Sequence, residues 1–313
     1  MPDSSEFCVA VDWGTSSFRS WLLDRAGQPL SQYSGPFGIR QIADKPFADI
    51  LADARHALGG KALSLPVIMC GMIGSAQGWQ DAGYLQKTAS IRTLAAAVCK
   101  INTAENIWIV PGIQSVSGDG LADVMRGEET ALAGILAQYQ ISNGLFCLPG
   151  THSKWVTVRE AEITSLSSFM TGEVFDLMRR HSILSPFMEQ AKNSEEEKDR
   201  EAFIQGLALA RGGLGLLHHL FAIRAGILTG KYAPSSASAL LSGLSIGTEL
   251  MHIAPVAAGQ NGTVYLNAAG VMADLYQTAL THFDIGYQLI DGEAASCAGL
   301  YEIACHIFQD KSG

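Results

Sequence analysis

No two of the six cysteines in this 313-residue sequence are spaced Cys-x-x-Cys; Cys8, Cys70, Cys99, Cys147, Cys297 and Cys305 are scattered, mostly in apolar runs. That scatter argues against a zinc ribbon or a dithiol redox motif and reads as free, buried thiols of a reducing compartment. Charge is also scarce, at 16% of residues, and no Lys/Arg run stands out against a net charge of −9. Nucleic acid is therefore not an expected partner. An anionic ligand would have to be held locally, by backbone N–H groups, a metal or a few placed cations. No stretch of about eighteen uncharged apolar residues occurs, so no membrane span is expected. The opening MPDSSEFCVAVDWG has no basic segment followed by an apolar one and is not read as a secretory signal. What is abundant is apolar side chain, 48% of the total, which suits a well-filled core; the length suits two domains.

Residues 7–12 (FCVAVD) form a short apolar run that predicts a buried strand. The small polar turn WGTSS follows, then 18–24 (FRSWLLD) as a second strand, Arg25-Ala26-Gly27 as a hairpin turn and 29–37 as a third strand. Apolar spacing near three and four predicts an amphipathic helix over 47–58. Residues 65–71 read as a strand, 91–99 as a helix, 106–112 as a strand and 121–139 as a long helix. The opening pattern then returns: LFCLPG (145–150), the turn THSK, WVTVR (155–159) and a third strand over 162–169. Strand, small polar turn and strand thus occur twice, starting at residues 7 and 145. The remainder is mostly helical, over 172–184, 197–222 and 236–252, with the charged run SEEEKDR as a hydrated surface. It closes with a strand (263–270), a helix, a strand (287–291) and a last helix.

Four clusters carry candidate chemistry. In the first turn, Asp12 ends a buried strand, where a carboxylate needs a partner; magnesium with its waters is one solution. Gly14, Thr15 and Ser16 offer backbone and hydroxyl donors suited to phosphate, and Arg19 could add a charge. An ordinary Asx-type hairpin turn is the alternative. In the second turn, Gly150, Thr151, His152 and Ser153 have the same chemistry with Pro149 in place of the acid. His152 reads as a turn residue, and the adjacent His218 and His219 face different directions on a helix. Third, Asp123, Arg126, Glu128 and Glu129 gather at a predicted helix start. They either complement the helix dipole or supply a carboxylate that takes a proton from a substrate hydroxyl. Fourth, the glycine-rich 70–79 follows a strand but matches neither a Walker A loop nor a dinucleotide fingerprint. Trp79 and Tyr84 beside it form either a sugar-facing wall or core packing.

The twin segments VAVDWGTSSFRSWLLD and LPGTHSKWVTV resemble the two phosphate motifs of the sugar kinase, heat-shock chaperone and actin superfamily. More narrowly, GPFGIR (35–40), GMIGSAQGW (71–79), DVMRGEET (123–130), FMTGEVFDLMRRHSIL (169–184), LLSGLSIGTEL (240–250) and DGEAASCAGLYEIA (291–304) resemble the 2-dehydro-3-deoxygalactonokinases, nearly end to end. The resemblance implies an α/β, ribonuclease H-like fold of the actin-like ATPase type. It implies two lobes, 1–142 and 143–313, each opening with a β-hairpin phosphate motif and closing over the substrate. It implies ATP and Mg2+ as cofactors and transfer of phosphate to the 6-hydroxyl of 2-dehydro-3-deoxy-D-galactonate. The implied partner is a small-molecule sugar acid, with no nucleic acid and no membrane; the implied location is cytoplasmic, and a homodimer stays open.

Carried onto this chain, Asp12 would organise magnesium, and Gly14, Thr15 and Ser16 would hold phosphate in the first turn. Gly150, Thr151, His152 and Ser153 would do so in the second. Gly247 and Glu249, with Ala268, Ala269 and Gly270, would line the adenosine. The superfamily commonly has a glycine pair after that strand, and the methyls here narrow the approach of backbone to nucleotide. Asp123, then Glu128, are the candidates for catalytic base. Arg40 is the candidate for the substrate carboxylate, with Arg126 as competitor; Gly71, Met72, Trp79 and Tyr84 complete the expected sugar site. A kinase of another 2-keto-3-deoxy sugar acid, a phosphatase and a sugar sensor on the same fold are the alternative readings.

Overall fold

In a computed structural model of the chain, the described residues are 6–42, 45–86, 88–104, 106–116, 120–188, 196–259, 263–292 and 294–308. They form two compact units, one of 1–143, 157–166 and 291–313, the other of 144–156 and 167–290. The sequence predicts one division after residue 142. The observed units are interleaved because two later segments pack with the first: the tip of a hairpin, where Ala89 and Ile163 exchange backbone hydrogen bonds, and the C-terminal helix.

The first unit runs β1 (Glu6–Trp13), β2 (Phe18–Asp24), β3 (Pro29–Gly35), α1 (Phe47–Leu58), β4 (Val67–Cys70), β5 (Tyr84–Leu85), α2 (Ile91–Ala96), β6 (Cys99–Lys100), β7 (Ile107–Ile109), β8 (Gly112–Val116), β9 (Ala122–Met125) and α3 (Glu128–Tyr139). Its main sheet has the order β3-β2-β1-β4-β7-β6, with β1, β4 and β7 parallel and β1-β2-β3 an antiparallel meander. β1 is buried on both faces, as its near-continuous apolar run demands. Val9, Val11 and Trp13 join Ile50, Leu51, Ala54 and Leu58 of α1 in one core. A small second sheet, β5-β8-β9, stands beside it.

The second unit runs β10 (Gly144–Leu148), β11 (Ser153–Arg159), β12 (Glu162–Phe169), α4 (Thr171–His181), α5 (Ser185–Met188), α6 (Glu196–Ala210), α7 (Leu216–Leu228), α8 (Ala237–Ala258), β13 (Thr263–Asn267), α9 (Gly270–His282) and β14 (Gly286–Ile290), except that the tip 157–166 of the β11–β12 hairpin groups with the first unit; α10 (Ala295–Phe308) returns to the first unit. There Phe7 of β1 meets Tyr301 and Phe308 of α10 edge-on. The second sheet has the order β12-β11-β10-β13-β14, the same strand order as in the first unit, with β10, β13 and β14 parallel. By length and composition α8 could cross a membrane, but it is the central helix of this unit, mostly buried, with Glu249 inside it.

Two helix predictions are corrected. Residues 122–125 form strand β9, paired antiparallel with β8, and the helix starts only at Glu128. The predicted helix over 197–222 is two helices, because Gly212, Gly213 and Gly215 interrupt it, the last two with positive φ. Residues 194–195 of the charged run lie outside the described residues.

Helices α6 and α8 touch backbone to backbone. A Cβ on Gly243 would stand 2.0 Å from the Phe203 carbonyl oxygen, and one on Gly206 2.3 Å from that of Leu240. Gly243→Ala forces the two helices apart, a cost of about 1–3 kcal/mol that outweighs the roughly 1 kcal/mol of helix propensity gained. The expected outcome is a melting temperature several degrees lower; an unchanged melting curve would contradict the close approach.

Candidate functional site

Hairpin register places Asp12 opposite Arg19, and Arg19 Nη2 donates to Asp12 Oδ2 at 2.5 Å. The carboxylate is thereby satisfied at the end of a buried strand yet keeps 17% side-chain exposure. The turn itself is closed by Gly14 N donating to the Ser17 carbonyl at 2.9 Å. Loop 36–41 is pinned against it. Ile39 N and Arg40 N donate to the carbonyls of Gly14 and Thr15, and Trp13 Nε1 donates to that of Phe37 at 2.6 Å. A Cβ on Gly38 would overlap the backbone of Ser16, at 2.3 Å. Arg40 therefore stands, exposed, beside the first turn.

Asp12 lies next to Cys70 in the parallel register of β1 and β4. Beyond Cys70 the chain turns at Gly71, whose φ of 93° an L side chain rarely adopts. A Cβ there would stand 2.7 Å from the Trp13 carbonyl oxygen and 3.5 Å from Asp12 Oδ1. Gly127, with φ 103°, in turn lies over Gly71, its missing Cβ 3.3 Å from the Gly71 Cα. The start of α3 is thus brought to the same strand ends as Asp12. There Arg126 N donates to Glu128 Oε2 at 3.1 Å and Gly127 N to Glu129 Oε2 at 2.7 Å, so two carboxylates fold back on the helix start. Glu129 is fully buried; burial, and then the neighbouring Glu128, push its carboxyl up to about 8. It also accepts from the Thr130 hydroxyl.

Arg126 is buried with its guanidinium 4.3 Å over the Tyr84 ring and Nη2 donating to the Gly83 carbonyl at 2.9 Å. Its Nη1 lies against Gly74. Tyr84 is accordingly a platform for this cation. Trp79 stacks on Phe47 and packs against the core, the packing alternative of its two readings. Met72 is half-buried in the short 3-10 turn after Gly71. Asp123 sits on β9 opposite Ser115, with its carboxylate accepting from the next backbone N–H, that of Val124.

In the second unit the turn 149–152 is clamped by the start of α4. Glu173 N donates to the Thr151 carbonyl at 2.9 Å, His152 Nε2 meets Glu173 Oε2 at 2.5 Å, and a Cβ on Gly172 would stand 2.5 Å from the Gly150 carbonyl oxygen. Gly150, Thr171 and Gly172 help to line a cleft of about 1130 Å³, together with the apolar Phe203, Ile246 and Met272 and the charged Arg179, Arg200 and Asp274. The size and the mixed apolar and polar lining suit a large organic ligand that carries polar groups.

Ser153 is fully buried, its hydroxyl donating to Glu249 Oε1 at 2.9 Å, so it faces the interior and not a phosphate. Lys154 Nζ donates to Ser168 Oγ along the sheet. Gly247 faces α6, where a Cβ would stand 2.8 Å from that of Ala210, and neither it nor the buried Glu249 is among the residues lining the cleft. Ala269 and Gly270 are exposed at the start of α9, ahead of the cleft-lining Val271 and Met272. Sequence reasoning missed Thr171 and Gly172 as part of the site. The stretch FMTGEVFD carried the only signal, a Thr-Gly pair placed just after a strand.

A family model described as 2-keto-3-deoxy-galactonokinase matches residues 12–303. The chain is similar to a Rhizobium meliloti protein assigned as a 2-dehydro-3-deoxygalactonokinase, with 37% identity over 94% of this chain and 95% of that one. It is similar to the 2-dehydro-3-deoxygalactonokinase of Escherichia coli K12, with 32% identity over 95% and 97%. Among solved structures it is similar to a Sinorhizobium meliloti protein assigned to the same activity, with a TM-score of 0.85 and 35% identity, covering 96% and 99% of the two chains. The fold is that of the actin-like ATPases, and the strand order β3-β2-β1-β4-β7 of the first unit recurs as β12-β11-β10-β13-β14 in the second.

The raised Glu129 carboxyl has a stability consequence. Its folded value of about 8 lies above the ordinary 4.5, so the folded state holds its proton while the unfolded chain loses it. The contribution is intact below pH 4.5 and is lost as pH rises through about 8. Glu129→Gln removes that dependence. Melting curves across this window should show the variant gaining on the unsubstituted protein as pH rises; parallel curves would mean that Glu129 is ionised in the fold.

Proposed function

The chain belongs to the 2-keto-3-deoxy-galactonokinase family, and on that footing we propose that Asp12, Arg40 and Glu128 of its first unit serve the family's reaction and that the turn and cleft of its second hold a nucleotide. It is an ATP-dependent phosphotransferase acting on 2-dehydro-3-deoxygalactonate. The observation that carries this is the family match over residues 12–303, which takes in both turns and the start of α3. The acceptor is the 6-hydroxyl, a primary alcohol at the end of the sugar chain remote from its carboxylate. The cytoplasm, which supplies ATP, is the place we assign to it.

Phosphoryl transfer asks little covalent chemistry of a protein; positioning and neutralisation of charge dominate. Asp12 fits a magnesium ion that arrives with the nucleotide. It is one partly exposed carboxylate, and no cluster of three or more metal-binding side chains surrounds it among the described residues. Magnesium is commonly held by one or two carboxylates plus phosphate oxygens and water. So bound, the ion would neutralise phosphate charge; Arg19 keeps Asp12 aimed. Thr15 and Ser16 present donors at the first turn, and Gly150, Thr151 and His152 at the second.

Glu128 is the base we favour over Asp123. It stands at the start of α3, which Gly127 presses onto Gly71 and so onto the Asp12 strand end, whereas Asp123 lies on β9 of the small sheet. Glu128 would take the proton of the acceptor hydroxyl as the new O–P bond forms and ADP leaves. Arg40, exposed beside the first turn, is the cation we assign to the sugar-acid carboxylate. Arg126, by contrast, is buried over Tyr84 with Nη2 donating to Gly83, and its Nε and Nη1 have no hydrogen-bond partner among the described residues.

Release of ADP, measured with ATP and magnesium, should occur with 2-dehydro-3-deoxygalactonate and not without a sugar acid. Comparable turnover of its gluconate epimer would widen the substrate class, and sugar-independent release would replace the kinase by a phosphatase. In the same assay Glu128→Gln should lower kcat by about 10²–10⁴-fold and Asp123→Asn by far less; the reverse order would return the base to Asp123. Asp12→Asn should abolish turnover, and Arg40→Ala should raise the sugar-acid KM with little change in that for ATP.

A further inference from the structure

Glu249 is a carboxyl group with 1% exposure in the middle of the long apolar helix α8. Four side-chain donors converge on its two oxygens. Ser153 Oγ and Trp155 Nε1 donate to Oε1 at 2.9 and 2.5 Å, Thr171 Oγ1 donates to Oε2 at 2.5 Å, and the Tyr276 hydroxyl reaches both at 3.2 and 3.1 Å. A carboxylate has about four acceptor sites on its two oxygens, so the four donors match it. These donors are neutral, so burial raises the carboxyl's affinity for a proton and the hydrogen bonds oppose that rise.

The four donors come from three elements. Ser153 and Trp155 open β11 immediately after the second turn. Thr171 opens α4, whose Gly172 and Glu173 clamp that turn from outside. Tyr276 is on α9. Thr171 and Tyr276 also line the cleft, where Gly150 and Gly172 stand beside Thr171. Glu249 itself does not line it. One carboxyl therefore ties the inner side of the turn, the helix that clamps it and one cleft wall to α8.

We infer that Glu249 is a positioning residue for the nucleotide: by holding Ser153, Trp155, Thr171 and Tyr276 together it sets the second turn and the Thr171–Gly172 edge of the cleft in the geometry that receives the phosphates, and so controls affinity for ATP and ADP but not for the sugar acid. This rests on the reading that the second unit's cleft takes the nucleotide. Glu249→Gln keeps the shape of the side chain but replaces one acceptor oxygen by an NH2 group, which faces hydroxyls already acting as donors. Thr171→Val removes a single donor from the edge of the cleft while leaving Glu249 in place. Preorganisation of this kind acts on affinity without any contact to the ligand.

The test is calorimetric titration of the full-length protein with ADP, together with separate KM values for ATP and for the sugar acid and a melting curve without ligand. The unsubstituted protein should bind ADP. Glu249→Gln should weaken ADP binding roughly tenfold and raise the ATP KM in step, the loss expected for one displaced charge-assisted hydrogen bond. The sugar-acid KM should stay within about twofold. Thr171→Val should weaken ADP binding by a smaller factor, and combined with Glu249→Gln should add little, since both act through one contact. A lowered melting temperature with unchanged ADP affinity, or equal rises in both KM values, overturns the inference and leaves Glu249 as a purely structural tie. If Glu249→Gln does not fold, Thr171→Val decides: unchanged ADP affinity in that variant overturns the inference by itself. Failure of the unsubstituted protein to bind ADP while it still turns over the sugar acid removes the nucleotide reading of the cleft, and the inference with it.

Discussion

The first unit's site depends on backbone meeting backbone at the carboxyl ends of β1 and β4. Gly71 lies against the Trp13 carbonyl and Gly127 against Gly71, with no side-chain volume between. Both glycines have left-handed φ values, so space and backbone conformation impose the same residue twice over. The contact lets the start of α3, with its two glutamates, reach the strand ends that carry Asp12. Such strand ends, where the sheet order reverses, are the usual ligand crevice of open α/β sheets. A methyl group at Gly71 would stand 2.7 Å from the Trp13 carbonyl oxygen, and one at Gly127 would crowd the Gly71 Cα at 3.3 Å in a backbone conformation L side chains rarely adopt, so either would disturb groups whose chemistry requires fixed placement.

The second unit repeats the strand order but holds its turn differently. Where the first uses an ion pair, Asp12 with Arg19, and two glycines, the second uses a buried carboxyl, Glu249, and four neutral donors. The difference follows from position. Asp12 is partly exposed and pairs with a cation that reaches water, at modest desolvation cost. Glu249 is enclosed by helices with no cation among these partners, so it is tolerable only if every lone pair is used. That completeness makes it a rigid tie: a carboxyl saturated by four donors from three elements resists displacement of any one of them.

The two turns, the meander after each and most of the apolar strands were legible, because strand signals and small polar turns are local. The same locality explains the failures. ADVM at 122–125 lies between glycine-containing loops and ahead of a helix, and only pairing with β8 makes it a strand. Ser153 has the composition of a phosphate ligand, but its neighbour across the unit is Glu249, 96 residues away in sequence. Gly247 sits in a stretch that resembles an adenosine motif, yet its lost side chain serves the approach of α6.

The sequence by itself determined the class of the protein: a twice-used strand–turn–strand unit, a chain with few charges and much apolar side chain, and family-specific stretches from GPFGIR to DGEAASCAGLYEIA. Those properties are carried by residue order alone. Tertiary structure decided which carboxylates lie at the strand ends and which are buried ties, that Arg126 is buried over Tyr84 while Arg40 is exposed beside the turn, and that Thr171 belongs to the cleft. The physical reason is that a polar side chain's role is set by how much water and how many partners surround it, and both come from elements distant in sequence.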